Sequence, residues 1–260
     1  MQNNLAVCVV GNFMYLYKYF KNFKKELKVN GNYDGPILVL TDFWSPTFLI
    51  RGIRNDKQVK VLKFKKINFS NNVNDYLYSL DTKGQPNRHK TKNFQWHKVH
   101  LFDTKLKRWD YIFYIDINMH IHHDINQILQ ELPKEKLYAR ADGYPEYKNK
   151  LSSQFDLSIN EFSNIKNKYD LEIDYYFQTG ILFYDTSIIQ DDTKLNILSL
   201  VEEFPISITN EQGIMNLYFI FEKNQYEELP TKIGDYLTYY YWLVSGKKII
   251  ITKQLREKYK

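Results

Sequence analysis

Asp116 and Asn118 follow the apolar run Tyr111-Ile-Phe-Tyr-Ile115, and two oxygen-bearing side chains at that spacing can hold a cation or a sugar hydroxyl. Hard divalent cations take oxygen ligands; the Asp116 carboxylate suits them, and the Asn118 amide oxygen suits them only weakly. Asp-x-Asn after a strand is also a common turn composition, so ligand and turn readings both stand. His120, His122 and His123 follow at once, and alternation along a strand would put His120 and His122 on one face, a usable ligand spacing. A second set, Gly11-Asn12-Phe13-Met14-Tyr15, follows the apolar run Leu5–Val10. In α/β nucleotide sites the loop after the first strand approaches base and ribose, and an aromatic ring there can stack on a base. Tyr15 can equally open the apolar face of the next helix.

These residues need elements to position them. Short runs rich in aromatic and β-branched residues read as strands buried on both faces, and ligands bind outside the carboxyl ends of such strands in α/β sheets. Strands are expected at Leu5–Val10, Ile37–Leu40, Val59–Phe64, Tyr111–Ile115, Lys136–Arg140, Tyr175–Tyr184 and Lys248–Thr252. Helical spacing is expected over Tyr15–Leu27, Phe94–Phe102 and Glu211–Phe221, and a more polar helix within Asn149–Asp170. Asn71–Asn93 reads as a long polar surface excursion. Strand–helix alternation argues for a largely parallel sheet with right-handed crossovers. With 260 residues and no repeat or linker, one domain is expected.

Composition narrows the partners. The net charge of +6 favours anionic ones, but the basic residues are dispersed apart from Lys18–Lys28 and Lys247–Lys260, so nucleic acid is not expected. The aromatic share of 17% suits contact with sugars or bases, or reflects a bias towards Asn, Lys, Ile and Tyr. Cys8 alone excludes an intramolecular disulfide. No apolar run is long enough to span a bilayer, and the first residues lack a leader's charged and apolar regions. A soluble, intracellular (cytoplasmic) protein is the expectation.

Five segments in order, VVGNFMYL, QWHKVHLFDTKLKRWDYIFYIDINMHI, YFQTGILFYD, NEQGIMNLYF and KIIITKQLREKYK, resemble glycosyltransferases of the GT-A fold, most closely the glycogenin-like family 8. The resemblance implies an α/β, Rossmann-like single domain over 1–260, its central mostly parallel mixed sheet flanked by helices. A donor-binding half would cover about 1–125 and a sugar and acceptor half about 126–260. It implies transfer of a sugar from a UDP-linked donor to a glycan or protein acceptor, with retention of configuration. A catalytically silent relative that binds nucleotide-sugar or glycan is the alternative.

By the same resemblance Asn12 and Tyr15 contact the uracil or ribose, and Lys98 reaches the sugar or diphosphate. Gln178 stands in Phe177-Gln-Thr-Gly180 where the family carries Phe-Asn-Ser-Gly, and Glu211-Gln212 where it carries Asp-Gln. Each is one methylene longer or alike in chemistry, and would line the sugar site. On their own, Gly180 reads as a close backbone approach, and Glu211 as an acid of a first helical turn. Asp142 falls where the family often has an acid that contacts the sugar. In the tail, Thr252 falls on the family's metal-binding His and Lys258 on its diphosphate-binding Lys. With Asn118 and Thr252 replacing two of three ligands, Mn²⁺ or Mg²⁺ is left with a poor donor set. Lys98, Arg256 and Lys258 are the cations expected to make up the deficit, and a solvated terminal charge run is the plain alternative.

Overall fold

The computed structural model describes residues 4–82, 93–131, 133–142 and 149–257. Strand β1 (Leu5–Val10) is the β-branched run LAVCVV, with Ala6–Val9 fully buried between two layers. Helix α1 (Phe13–Val29) starts at Asn12, whose side-chain oxygen accepts the Tyr15 N–H at 2.9 Å, a usual N-cap bond. Leu16, Phe20, Phe23 and Leu27 form its buried stripe, each contributing about 1.5–3 kcal/mol by leaving water. Strands β2 (Ile37–Asp42), β3 (Val59–Phe64) and β4 (Tyr111–Ile115) lie parallel to β1, in the order β3-β2-β1-β4.

Beyond β4 a single strand, β7, reverses direction. Strands β6 (Leu137–Ala141) and β7 (Phe177–Asp185) extend the order to β4-β7-β6, and both the β4–β7 and β6–β7 pairs are antiparallel. A three-residue strand, β8 (Tyr226–Glu228), closes the edge parallel to β6. The sheet is mixed and mostly parallel, as expected: β7 alone runs against the other strands, and burial on both faces leaves no sequence signal for that reversal. Side chains alternate between two cores. Phe113, Ile115 and Phe183 pack under α1, while Ile112, Tyr114 and Tyr184 pack against Trp96, Val99 and Val201 on the other face.

A second sheet, order β5-β11-β10-β9, caps the carboxyl end of β4. It joins β5 (His120–Ile121), β9 (Lys232–Ile233), β10 (Tyr236–Tyr240) and β11 (Lys248–Thr252). Of these, β11 alone is legible in the sequence, since two-residue strands and the half-exposed β10 have no apolar run.

Three expectations are corrected in detail. The excursion after Asn71 contains helix α2 (Asn71–Thr82), whose sparse stripe Val73, Leu77 and Leu80 is buried. Asn93–Phe102 is a 3₁₀ rather than an α-helix. Its three-residue repeat aligns Phe94, His97 and His100, with Phe94 and His97 stacked at 4.1 Å between ring centroids. Gln95 and Lys98 make the neighbouring ridge. The Glu211 helix is α-helical only over Glu211–Asn216, then widens to a π-helix over Leu217–Glu222.

Candidate active site

The end of β4 carries a compact charge cluster. Asp116 donates its backbone N–H to the Gly180 carbonyl at 2.8 Å, which fixes it beside β7. Its carboxylate receives the Tyr114 hydroxyl at 2.6 Å and the Lys98 ammonium at 3.1 Å on Oδ1, and the Lys253 ammonium at 3.1 Å on Oδ2. Burial raises the acid's pKa, but Lys98 and Lys253 outweigh it and hold the carboxyl well below the usual carboxylate range. A tight turn, with the Met119 N–H on the Asp116 carbonyl at 2.9 Å, folds Asn118 back towards it. Lys253 then donates to Asn118 Oδ1 at 2.7 Å.

Strand register explains how a residue so distant in sequence arrives there. β11 pairs with β5 so that Thr252 faces His120 and Ile251 faces Ile121. The next residue, Lys253, therefore comes opposite the turn that carries Asn118. Thr252 itself is fully buried, its hydroxyl 2.8 Å from His122 Nε2.

Lys98 joins this cluster to the helix Glu211–Asn216. Its ammonium lies 3.1 Å from Glu211 Oε1 and donates to Thr179 O at 3.2 Å. Burial lowers the Lys98 pKa, but Asp116 and Glu211 more than offset it, and the net shift is upward. Asn210, before Glu211, holds φ of 56° and ψ of −123°, a conformation costing about 1–3 kcal/mol in a non-glycine residue. The Ser207 hydroxyl donates to Asn210 O at 2.6 Å, and the Asn210 amide donates to Gln95 Oε1 at 2.9 Å. Gln212 accepts the Thr179 N–H at 3.2 Å and donates to Gln154 Oε1 at 2.8 Å and Asp142 Oδ2 at 3.3 Å.

Two cavities meet at the cluster. One, of about 150 Å³, reaches Gly11, Asn12 and Tyr15; the other, of about 260 Å³, reaches Gln178, Gly180, Glu211 and Gln212. They share Gln95, Lys98, Asp116 and Lys253 as a common wall. Gly180 lines the second cavity, where a Cβ would meet the flexible end of Met119 and stand 3.7 Å from Asp116 Oδ2.

The residues singled out from sequence therefore converge. Tyr15 stays 41% exposed beside the first cavity and off the buried stripe of α1, while Asn12 spends its side-chain oxygen on the helix cap. Asp142 stands behind the second cavity, receiving the Gln154 and Gln212 amides. Lys258 lies outside the described residues. Gln95, Tyr239, Tyr241 and above all Lys253 also line the cavities. Gln95 had a signal in its three-residue spacing from Lys98; the others had none without β10 and β11.

The donor set does not fit a divalent cation. The free oxygen of Asp116 and the amide oxygen of Asn118 both already face the Lys253 ammonium. His120 pairs with Glu26 at 3.3 Å and His122 with Thr252, and no group of three His, Cys, Asp or Glu among the described residues could hold a metal.

No family model matches the sequence, and no curated protein matches it. Among solved structures, the galactosyltransferase LgtC in complex with donor and acceptor sugar analogs is similar with a TM-score of 0.55. Its identity is 14%, over 87% of this chain and 73% of that one. The bifunctional glycosyltransferase WbbM has a TM-score of 0.54 at 14% identity, over 91% of this chain and 40% of that one. Mouse xyloside xylosyltransferase 1 has a TM-score of 0.51 at 10% identity, over 97% of both chains. The fold is the GT-A fold of these glycosyltransferases. Among the described residues, no helix is long and apolar enough to cross a membrane.

Proposed function

We propose that this GT-A chain transfers a sugar from a nucleotide-sugar donor, UDP-linked and hexosyl in type, to a glycan or protein acceptor with retention of configuration. One observation carries the reading: two cavities meet at a wall of two ammonium groups and one carboxylate, at the carboxyl end of β4. A nucleotide-sugar has that shape, with a planar base and ribose at one end, a sugar at the other and an anionic diphosphate between.

The assignments follow from the chemistry of each wall. Tyr15 offers an aromatic face to the base. Lys98 and Lys253 meet the diphosphate, whose negative charge grows as the anomeric C–O bond breaks; preorganised cations stabilise that charge without reorganising. Gln178, Glu211 and Gln212 line the sugar's cavity. The acceptor oxygen bonds to the anomeric carbon on the face the diphosphate leaves, and its proton passes to the departing phosphate oxygen. Asp116 orients Lys98 and Lys253.

Incubating the purified chain with a panel of UDP-sugars and scoring UDP release, with and without EDTA, tests this. Release of UDP from at least one donor, together with a glycosylated acceptor, supports it. A second reading, a silent binder of nucleotide-sugar, is favoured by the engagement of both Asp116 oxygens with cations. Tight UDP binding by calorimetry with no turnover under any condition would select that reading.

A further inference from the structure

We infer that Lys253 supplies, as part of the chain, the positive charge that a bound divalent ion would otherwise bring to the diphosphate; this rests on the proposed donor site. The ammonium lies between Asp116 Oδ2 and Asn118 Oδ1, at 3.1 and 2.7 Å. A divalent ion bound by these two oxygens would lie about 2.0–2.6 Å from each and would be repelled by an ammonium held at the same atoms. Asn118 then stops being a defect. An amide oxygen is a poor ligand for a hard cation but a good acceptor for N–H, so Asn118 and Lys253 form a matched pair. The charges agree: Lys98 and Lys253 balance Asp116 and Glu211, leaving the cluster formally neutral before an anion arrives. Lys253 is still 21% exposed, so its remaining protons can meet a ligand.

The test is UDP binding by calorimetry to the whole chain, in EDTA and in Mn²⁺, alongside Mn²⁺ titration followed by electron paramagnetic resonance. The expected result is UDP affinity equal within about twofold in both conditions, with the Mn²⁺ signal left free. Lys253→Met should weaken UDP binding roughly 10–100-fold, the range for a lost charge-assisted hydrogen bond. Asn118→Asp combined with Lys253→Met should create Mn²⁺ uptake in the presence of UDP. UDP binding that needs Mn²⁺ in the unmodified chain overturns the inference and leaves the donor site standing. No UDP binding in either condition overturns both. The unmodified chain decides this even where a variant fails to fold.

A separate observation carries a second proposal. Phe43, Trp44, Phe48 and Leu49, just beyond β2, are 56%, 86%, 65% and 54% exposed. They do not fray: Asp42 accepts the Trp44 N–H at 3.0 Å and the Ser45 hydroxyl at 2.6 Å, and Lys63 donates to Ser45 O at 2.9 Å. Lys63, Lys65 and Lys66, at the end of β3 that pairs with Asp42, are exposed beside the tip, and the nearby acid Asp103 is paired with Lys194. Phe43, Lys63, Lys65, Lys66 and Lys105 line one groove of about 480 Å³. Clustered exposed apolar side chains mark an interaction surface, and aromatic residues ringed by cations match the interface of an anionic bilayer. We propose that this tip docks on anionic phospholipid membranes. The Gly11 N–H bonds Leu40 O at 3.1 Å, so the tip lies at the same end of the sheet as the donor cleft, which docking would bring close to the membrane surface.

Co-sedimentation with vesicles of phosphatidylcholine alone, and of phosphatidylcholine with phosphatidylglycerol, tests it. Binding is expected to the anionic vesicles only, to weaken with salt, and to fall at least tenfold in Trp44→Ser with Phe48→Ser. The same double variant should keep its melting temperature, since neither side chain is buried. Absence of binding to anionic vesicles, or binding indifferent to the double variant, overturns the proposal.

Discussion

Glu211 presents Oε1 to the Lys98 ammonium at 3.1 Å, while its other oxygen, also buried, meets no hydrogen-bond partner among the described residues. At 2% exposure the residue is shut off from bulk water. A buried unsatisfied carboxylate oxygen is costly, by about 1–3 kcal/mol or more for a charged group, and such costs gather at functional sites. The helix start that carries it is also held in an unfavourable backbone conformation at Asn210.

Glu211→Gln is therefore expected to separate activity from stability. The amide keeps the shape and relieves the unpartnered oxygen, while Lys98 keeps its ion pair with Asp116, so the melting temperature should hold or rise. Turnover should fall on the order of 100-fold, the scale seen when one preorganised electrostatic group is lost from a site. Kinetics and thermal melts on the same preparation check both halves. A variant that loses stability and keeps its turnover would remove Glu211 from the site.

Lys98→Met should lose stability and donor binding together. Asp116 and Glu211 would then share one pocket without the cation that lies 3.1 Å from each. Removing one partner of a buried pair costs about 3–5 kcal/mol, and urea unfolding should show a loss of about that size. UDP binding should disappear in calorimetry at temperatures where the variant remains folded.

Tyr15 can be tested for its aromatic face alone. Tyr15→Phe should keep donor affinity, whereas Tyr15→Ala should raise the donor KM roughly tenfold, as stacking on a base contributes about 1–3 kcal/mol. Both should melt with the parent protein, because the ring is 41% exposed. Equal KM values in the two variants would take Tyr15 out of the donor site.

Stability should fall as pH drops below neutral. Burial is the main cause that lowers His97 from 6.5 to about 4 and His100 to about 3, and both rings are only 3% exposed. Between about pH 6.5 and 4 the unfolded chain binds these protons and the folded one does not, so unfolding is favoured as pH falls through that window. Above pH 6.5 the two histidines contribute no slope. Urea midpoints across pH 4–8 check this, and His97→Gln with His100→Gln should flatten the curve in that interval.

Much of the fold was legible because its core strands are saturated with apolar residues. Leu5–Val10, Ile37–Leu40, Val59–Phe64 and Tyr111–Ile115 need no long-range information to be read as strands, and the α1 stripe follows from 3.6-residue spacing. Helix α2 was hidden because Val73, Leu77 and Leu80 are its only buried apolar positions among polar neighbours. Strand β10 was hidden because tyrosines and threonine share it between a wet and a dry face. The direction of β7 was hidden because burial on both faces leaves no mark of orientation.

The chemistry divides along the same line. Residue type and local spacing alone placed Asp116 at the end of β4, Tyr15 after β1, Glu211 at a helix start and Asn118 where a carboxylate would have made a stronger metal site. The partner of Asn118 was a matter for the tertiary structure. Lys253 reads as one more cation in a basic tail, and only the β5–β11 register, with Thr252 opposite His120, carries it to the end of β4. The sequence contains both members of the pair 135 residues apart; an antiparallel ladder of two residue pairs decides that they meet.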